Sequence, residues 1–325
     1  MRKIRKRREK RKKRIIIISA FLCLIIMASG YATFSTNIVL RVKGNIIPSC
    51  NIGGIIINTV TEGEGLYKDE YEKGRCVYRG ANPNNYIEFN GELWRIISKE
   101  ADGTYKIIRN EVLPEEMAFD TEGIRTSGYC SQGSAPNYGC NAWCSITHMV
   151  GSPSEFTNGT YTGSVDADSE MLTYLNGEYL DSITVNKDKI VNHSFSIGSV
   201  TWSNNDLQGQ VESENRYKWN GNIGLISLSD YLRANSNMET CGTHNKNNSY
   251  YSTCGNTNWM LIKGTYWWTL SPGTVYSSTV FTVNRDGYLG RDNAHASYVV
   301  RPAVFLDSSI SLSGSGTDSD PYRLS

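Results

Sequence analysis

The sequence of 325 residues is poor in histidine and lacks the common catalytic motifs. It contains no G-x-S-x-G, no H-E-x-x-H and no glycine-rich phosphate-binding loop, the patterns of many hydrolases, zinc proteases and nucleotide-dependent enzymes. Its four histidines, at positions 148, 193, 244 and 295, lie far apart in the chain. The sequence therefore predicts no catalytic residue, and we expect the protein not to be an enzyme.

Positive charge is concentrated at the N-terminus. Residues 1–14 contain eleven Lys/Arg and one Glu, whereas the whole chain carries a net charge of +1. An apolar stretch follows at residues 15–34, where a helix would be about 30 Å long, the thickness of a membrane hydrocarbon core. The pattern predicts a transmembrane signal anchor, with residues 1–14 in the cytoplasm and the rest of the chain outside the cell. A cleaved signal peptide, which would make the protein secreted, is the alternative.

This neighbouring apolar stretch also argues against nucleic-acid binding by the basic residues. The expected localisation is the cell membrane, with a single-pass anchor and an extracellular domain.

Seven of the eight cysteines lie beyond the apolar stretch, where export favours disulfides. Proximity in sequence predicts the pairs Cys50–Cys76, Cys130–Cys140 and Cys241–Cys254, with Cys144 left free. Spacing alone leaves other pairings open. Zinc binding by Cys140 and Cys144 is less favoured, because the pattern lacks two clean ligand pairs.

The exported part divides into three regions. Residues 35–85 form a β-rich linker, residues 86–306 the main domain and residues 307–325 a turn-rich tail. Within the domain, an Asn90-Gly91 turn predicts a three-stranded meander over residues 86–109. Residues 115–168 have the composition of disulfide-stapled loops. An amphipathic helix is predicted from Ser169 to Ile183, with an interruption or loosening of its turns at Gly177. A shorter helix is predicted to begin after Ser229 as its N-cap.

Six short segments stand out in order: WRIISKEADGTYKII, YLNGEYLDSI, IGLISLSDYL, YWWTLSP, VFTVNRDGYL and YVVRPAVFL. Together they resemble a functionally uncharacterised domain family of bacterial surface proteins, whose C-terminal pattern is WWLRSPG…DG…VRPAL. The resemblance covers about residues 86–306 and implies a C-type-lectin-like fold, distantly related to formylglycine-generating enzymes. Thr269 and Leu270 stand where the family has Leu and Arg, so no role of that Arg is carried over.

The predicted fold class is therefore α+β. It is a C-type-lectin-like domain of short strands with one or two helices and long disulfide-stapled loops, preceded by a single N-terminal transmembrane helix.

Two adjacent tryptophans in YWWTLSP cannot share one face of a strand, because successive side chains point to opposite sides. Trp268 and Leu270 share an apolar face, which predicts burial of Trp268. Trp267 shares its face with Thr269 and is the better candidate for exposure. Arg301, among apolar residues, is expected to be buried and paired with a carboxylate.

The stretch NRDGYLGRDNAH carries polar and aromatic groups at one predicted hairpin. Its oxygen-bearing side chains are of the type that Ca²⁺ uses, although a turn at Asp286-Gly287 explains part of the pattern. We expect no metal or other cofactor, with calcium as the alternative. The candidate ligand-binding residues are Trp267, Asn284, Asp286, Tyr288, Arg291, Asp292, Asn293 and His295.

The functional prediction is a membrane-anchored bacterial surface protein whose extracellular module binds a glycan or a protein without catalysing a reaction. A structural or assembly component of the surface is the first alternative. An oxidoreductase of the formylglycine-generating type, using Cys241 and Cys254, is the second.

Overall fold

The computed structural model describes residues 10–14, 18–19, 22, 49–121, 125, 127–201, 206–243 and 253–325. The chain divides into two compact units, residues 1–46 and residues 47–325. Among the described residues, no helix combines the length and the apolar character needed to span a bilayer. This finding contradicts the transmembrane helix predicted at residues 15–34, and the single-pass membrane anchoring inferred from it. Most of that segment lies outside the described residues.

In the first unit, residues 10–14 are helical. The second unit consists mostly of short strands, which fits an α+β class only loosely. Its first ten described strands are β1 (Ser49–Ile52), β2 (Ile55–Asn58), β3 (Gly65–Lys68), β4 (Cys76–Arg79), β5 (Tyr86–Phe89), β6 (Glu92–Lys99), β7 (Tyr105–Arg109), β8 (Met117–Ala118), β9 (Phe156–Asn158) and β10 (Tyr161–Gly163). The others are β11 (His193–Ser196), β12 (Lys218–Gly221), β13 (Ile223–Gly224), β14 (Trp267–Pro272), β15 (Thr279–Val283), β16 (Leu289–Asn293), β17 (Ser297–Tyr298), β18 (Ala303–Leu306), β19 (Leu312–Ser313) and β20 (Tyr322–Leu324).

The described helices of this unit are short. They are α1 (Ala135–Tyr138), α2 (Glu170–Tyr174), α3 (Leu180–Ser182), α4 (Leu207–Glu214), α5 (Leu228–Arg233) and α6 (Met238–Cys241). Single 3₁₀ turns lie at Gly128–Ser131, Ile146–His148 and Lys187–Lys189, and a π-helical segment, Leu175–Tyr179, joins α2 to α3.

A mixed sheet of nine described strands forms the centre of the second unit. Seven follow the order β13-β18-β7-β6-β5-β20-β19, and β4, which also pairs with β3, joins β6 next to β5. Strands β5, β6 and β7 are the predicted meander. Its first turn has Asn90 at φ 55° and Gly91 at φ 73°, the two positive values that a tight hairpin turn requires.

Both flanking segments contribute to this sheet. Strands β3 and β4 lie in the segment expected to be a linker, and β19 and β20 lie in the segment expected to be a tail. Strand β20 runs parallel to β5, with Tyr322 opposite Ile87. Neither segment therefore stands apart from the sheet.

The central strands are buried on both faces. The neighbours Ile96 and Ile97 belong to two different hydrophobic clusters, and both are fully buried. The same holds for Trp268 and Trp267 in β14, which are each 0% exposed. The predicted exposure of Trp267 is wrong, because a second core that includes α5 and Trp259 covers that face of the strand.

Local capping explains where the helices begin. Ser169 caps α2 by accepting a hydrogen bond from the backbone N–H of Leu172 at 3.2 Å, as the sequence predicts. The π-helical segment, whose turns are wider than those of an α-helix, contains Gly177, where the helix was expected to loosen. The cap of α5 is Ser227, in a capping box with Asp230, and not Ser229.

The three predicted disulfides are confirmed. Cys50 is bonded to Cys76, Cys130 to Cys140 and Cys241 to Cys254. Cys144 is free and buried. Three such bonds are typical of proteins that fold in an oxidising environment.

Candidate functional site

The predicted ligand-binding residues of the hairpin are spread from its turn to its far end, with Arg291 at the middle pair, opposite Phe281. Strands β15 and β16 pair antiparallel, so that Val283 faces Leu289 at one end and Thr279 faces Asn293 at the other. Five residues of strand separate the two ends by roughly 14 Å. Asn284, Asp286 and Tyr288 therefore lie at the turn, away from Arg291, Asp292, Asn293 and His295.

This separation bears on the calcium alternative. A Ca²⁺ ion needs six or more oxygen ligands within about 2.6 Å. Asp286 and Asp292 lie at different ends of the hairpin, so they cannot share one ion. Among the described residues, no group of three or more His, Cys, Asp or Glu side chains is placed to hold a metal.

Arg301 is buried, as predicted, but it forms no ion pair with a carboxylate of the described residues. Its guanidinium donates to the carbonyl oxygens of Met260 at 2.7 Å, Arg109 at 3.1 Å and Asn110 at 3.2 Å. It also lies 5.0 Å from the centre of the Trp267 ring. Burial lowers the pKa of Arg301 to about 9. The side chain fills the core between carbonyls and an aromatic ring, and it is not a ligand contact.

The strand end at Arg291–Asn293 borders a surface pocket of about 360 Å³, which we call the tyrosine pocket. Two half-exposed tyrosines line it: Tyr138 is 45% exposed and Tyr276 is 47% exposed. The lining residues are Ser134, Tyr138, Tyr276, Thr279, Arg291, Asp292 and Asn293. Three of the predicted binding residues are thus brought together here.

Tyr138 is positioned by the last turn of the loop that the Cys130–Cys140 disulfide closes. Its carbonyl oxygen accepts from the backbone N–H of His295 at 3.0 Å and lies 3.1 Å from the His295 Nδ1. The two rings lie 5.4 Å apart. The following residue, Gly139, has φ 76°, and a Cβ there would collide with the carbonyl oxygen of Asp120. Only glycine allows the chain to turn so close to Asp120.

Tyr276 lies in the connection from β14 to β15, and a single buried amide holds that connection. The Asn141 Nδ2 donates to the carbonyl oxygens of Thr279 at 2.8 Å, Tyr276 at 2.9 Å and Gly273 at 3.3 Å. The Asn141 Oδ1 accepts from the Tyr129 hydroxyl at 2.7 Å. Asn141 therefore fixes the backbone under Tyr276 relative to the disulfide loop that carries Tyr138.

The polar side of the pocket is ordered by hydrogen bonds. The Asn293 Oδ1 accepts from the Ser278 hydroxyl at 2.8 Å, and that hydroxyl lies 2.8 Å from the hydroxyl of Ser134. This leaves the Asn293 Nδ2 without a partner among the described residues. The amide is thereby oriented with a donor available to a ligand.

Asp292 and Arg291 are held by aromatic neighbours. The Tyr298 hydroxyl donates to the Asp292 Oδ2, and burial together with this carboxylate raises the pKa of Tyr298. The guanidinium carbon of Arg291 lies 5.6 Å from the centre of the Tyr276 ring, a cation–π contact. A guanidinium and a carboxylate thus both line the pocket, and each is in contact with a tyrosine.

Sequence reasoning missed Tyr138, Tyr276 and Ser134. Both tyrosines occur in turn-rich stretches, APNYGC and SPGTVYSS, and Tyr138 ends the four-residue helix α1, which is too short to bury a large aromatic. An aromatic isolated among turn residues was the available signal. It could not show that two such turns, more than 130 residues apart, meet at one pocket.

Three described histidines have local structural partners in different places. The His148 Nδ1 lies 2.8 Å from Asp168, and the His193 Nε2 lies 2.9 Å from Asp102. His295 contacts Tyr138, as described above. His244 lies outside the described residues.

The two cysteine-based candidates for chemistry are both buried. Burial raises the pKa of the Cys144 thiol, which favours the unreactive protonated form. Cys241 and Cys254 are 1% and 5% exposed and are bonded to each other.

Comparison with known proteins adds a family but no activity. No curated protein and no solved structure matches this chain, so the C-type-lectin-like resemblance gains no support. A family match at residues 151–308 agrees with the expectation of an uncharacterised domain. It includes Tyr276 and the β15–β16 hairpin and leaves out Tyr138. The matching family model is described as a domain of unknown function, DUF6273, so residues 151–308 are similar to that domain.

Proposed function

We propose that the tyrosine pocket binds a carbohydrate and that the protein recognises this ligand without transforming it. The observation that carries the proposal is the presence of two half-exposed tyrosine rings beside an oriented amide in one pocket. A sugar ring has an apolar face of C–H groups and a rim of hydroxyls. Tyrosine offers the matching apolar ring with a polar tip.

The chemistry of recognition follows from the lining. The ring of Tyr276 would cover the C–H face of a sugar, and its contact with Arg291 limits how far it can turn. The Asn293 Nδ2 would donate to a hydroxyl, and the Asp292 carboxylate has lone pairs left to accept from another. A pocket of about 360 Å³ is within the range of small-molecule sites and suits one or two sugar units.

A glycan array probed with the full chain tests this proposal. We expect saturable binding to a subset of glycans. Tyr276→Ala should weaken binding at least tenfold, equal to about 1.4 kcal/mol. Tyr276→Phe keeps the ring and should bind nearly as well as the wild type.

Val185→Ala is the matched surface control, because Val185 is 50% exposed and lies outside the pocket. It should leave binding unchanged. Absence of glycan binding across the array would contradict the carbohydrate proposal. If a protein ligand were found instead and Tyr276→Ala weakened its binding, the pocket would be a protein-binding site.

A further inference from the structure

A second, more enclosed cavity of about 120 Å³ lies apart from the tyrosine pocket. It is formed where β7, α4, α5 and the antiparallel strand pair β11–β12 meet, and charged side chains line much of it. At about 30 Å³ for each water molecule, it has room for about four water-sized groups. Its charged lining residues include Arg75, Lys106, Glu214, Lys218, Asp230 and Arg233.

Both arginines of this cavity use all of their N–H donors within the protein. Arg75 donates from Nε to Glu100 at 3.0 Å, and from Nη1 to Asp69 and Glu72, both at 3.1 Å. Its Nη2 donates to the Ser98 hydroxyl at 2.9 Å and to Asp230 at 2.8 Å. A guanidinium has five N–H donors, so Arg75 has none left.

Arg233 uses its donors in the same way. Its Nη1 donates to Asp69 and Glu72, and its Nη2 to Asp230 and the Ser229 hydroxyl. Its Nε donates to the Ser229 carbonyl. The two arginines and their carboxylates therefore form a closed network, which builds the wall of the cavity but offers a ligand little.

The two lysines of the cavity differ from the arginines. The Lys106 Nζ donates to the Asp230 Oδ2 at 2.6 Å, and its other near neighbours are the ring faces of Phe195 and Phe305, at 5.6 and 5.3 Å. An ammonium has three donors, so two remain. The Lys218 Nζ has no ion pair or hydrogen bond with any described residue, although Lys218 also lines the cavity.

Glu214 adds a carboxyl with one oxygen unused. It is 1% exposed, and its Oε1 accepts from the Ser229 N–H at 3.1 Å and the Ser271 hydroxyl at 2.8 Å. Its Oε2 has no hydrogen-bond partner within the described part of the chain. Burial raises the pKa of Glu214, which lowers the cost of an acceptor-rich ligand beside it.

The unused groups are thus mainly donors, and they require a ligand rich in acceptors. We propose that this cavity binds a small carboxylate, whose oxygens accept from Lys106 and Lys218, with the Glu214 carboxyl beside them. A carboxylate has about four acceptor positions and a single charge. Phosphate fits less well, because its second negative charge would lie near Asp230 and the other wall carboxylates.

Titration of the full chain with acetate, followed by NMR, tests the proposal. Acetate has four heavy atoms, which matches the room in the cavity. We expect saturable shifts of the amide resonances of Ser194, Ser196 and Ser229, which line the cavity. The resonances of Tyr276 and Asn293, in the tyrosine pocket, should not move.

Lys218→Gln is the informative variant, because Lys218 makes no ion pair with the described residues and its loss leaves the arginine network intact. It should weaken acetate binding at least tenfold. Lys189→Gln, at a lysine whose side chain is 42% exposed outside the cavity, should bind acetate like the wild type. No shift with acetate, equal binding by Lys218→Gln, or tighter binding of phosphate than of acetate would each overturn the proposal.

Discussion

Asn141 shows how one buried side chain can order a surface site. It is fully buried, and its amide joins three carbonyls of the β14–β15 connection to the loop that the Cys130–Cys140 disulfide closes. Two of these carbonyls also accept from backbone N–H groups, that of Thr279 from Gly273 at 2.8 Å and that of Tyr276 from Thr279 at 3.4 Å, whereas the amide is what joins all three to the disulfide loop. The geometry of the tyrosine pocket therefore depends on a residue that does not line it.

We expect Asn141→Ala to destabilise the protein by about 2–4 kcal/mol, because it removes the amide that donates to three carbonyls and the oxygen that accepts from the buried Tyr129 hydroxyl. It should also weaken ligand binding at the tyrosine pocket, since the backbone under Tyr276 loses its fixed position. Urea unfolding at pH 7 measures the stability. Asn137→Ala, at an exposed asparagine of the same loop, should change it by less than about 0.5 kcal/mol. Equal stabilities of the two variants would contradict this role for Asn141.

At the scale of elements, strand β20 illustrates a contact between distant parts of the chain. Tyr322 is 3% exposed and lies opposite Ile87 of β5 in a parallel pairing. Its ring also lies against Gly316, where a Cβ would come within 2.5 Å of it. The last strand thus covers an edge of β5 and closes part of the core.

Tyr322→Ala should cost about 3 kcal/mol, because it removes a large buried ring and leaves a cavity. The neighbouring side chain points the other way: that of Arg323 is 50% exposed. Arg323→Ala should therefore change stability by less than about 0.5 kcal/mol. Thermal unfolding of both variants measures the difference, and a loss shared equally by both would show that β20 contributes through its backbone alone.

The elements that the sequence predicts well are those whose signals are local. The Asn90-Gly91 turn specifies its hairpin because both residues tolerate positive φ, and Ser169 marks a helix start because its hydroxyl accepts from a backbone N–H three residues later. The disulfides follow proximity, since the partners are separated by 10 to 26 positions in the sequence. In each case the partners are near in sequence.

What the sequence could not predict depends on distant partners. Pairing of β20 with β5 brings together residues more than 230 positions apart, and burial of Trp267 requires the cover that α5 provides. The tyrosine pocket joins Tyr138 to Tyr276 in the same way. A periodic pattern reports which face of a strand is apolar, but it does not report what packs on the other face.

At the scale of the whole molecule, the network around Asp230 connects segments far apart in sequence. Asp230 of α5 accepts from Lys106 of β7 and from Arg75, which precedes β4. Burial alone would raise the pKa of Asp230, but Lys106, Arg75 and Arg233 together outweigh it and hold the pKa well below its usual range. The network therefore stabilises the fold only while its carboxylates are ionised.

Glu72 gives the pH range of this effect. Burial would raise its pKa, but Arg233 and Arg75 lower it to about 2. The unfolded chain has a value of about 4.3 for Glu. Since the folded pKa is the lower one, the stabilisation is fully present above the unfolded value and is lost as the pH falls from about 4.3 towards 2.

Glu72→Gln should therefore reduce stability at pH 7 and flatten its dependence on pH in the acid range. We expect a loss of about 1–2 kcal/mol at pH 7, below the 3–5 kcal/mol of a fully buried pair, because the Glu72 side chain is 34% exposed. Urea unfolding at pH 7, 4.5 and 3 measures the slope for each protein. Glu115→Gln, at an exposed glutamate outside the network, should follow the wild type at every pH. Removing an ionised member of the network must remove its share of the dependence of stability on pH. Equal losses of stability by Glu72→Gln and the wild type between pH 4.5 and 3 would therefore contradict a link between this network and acid unfolding.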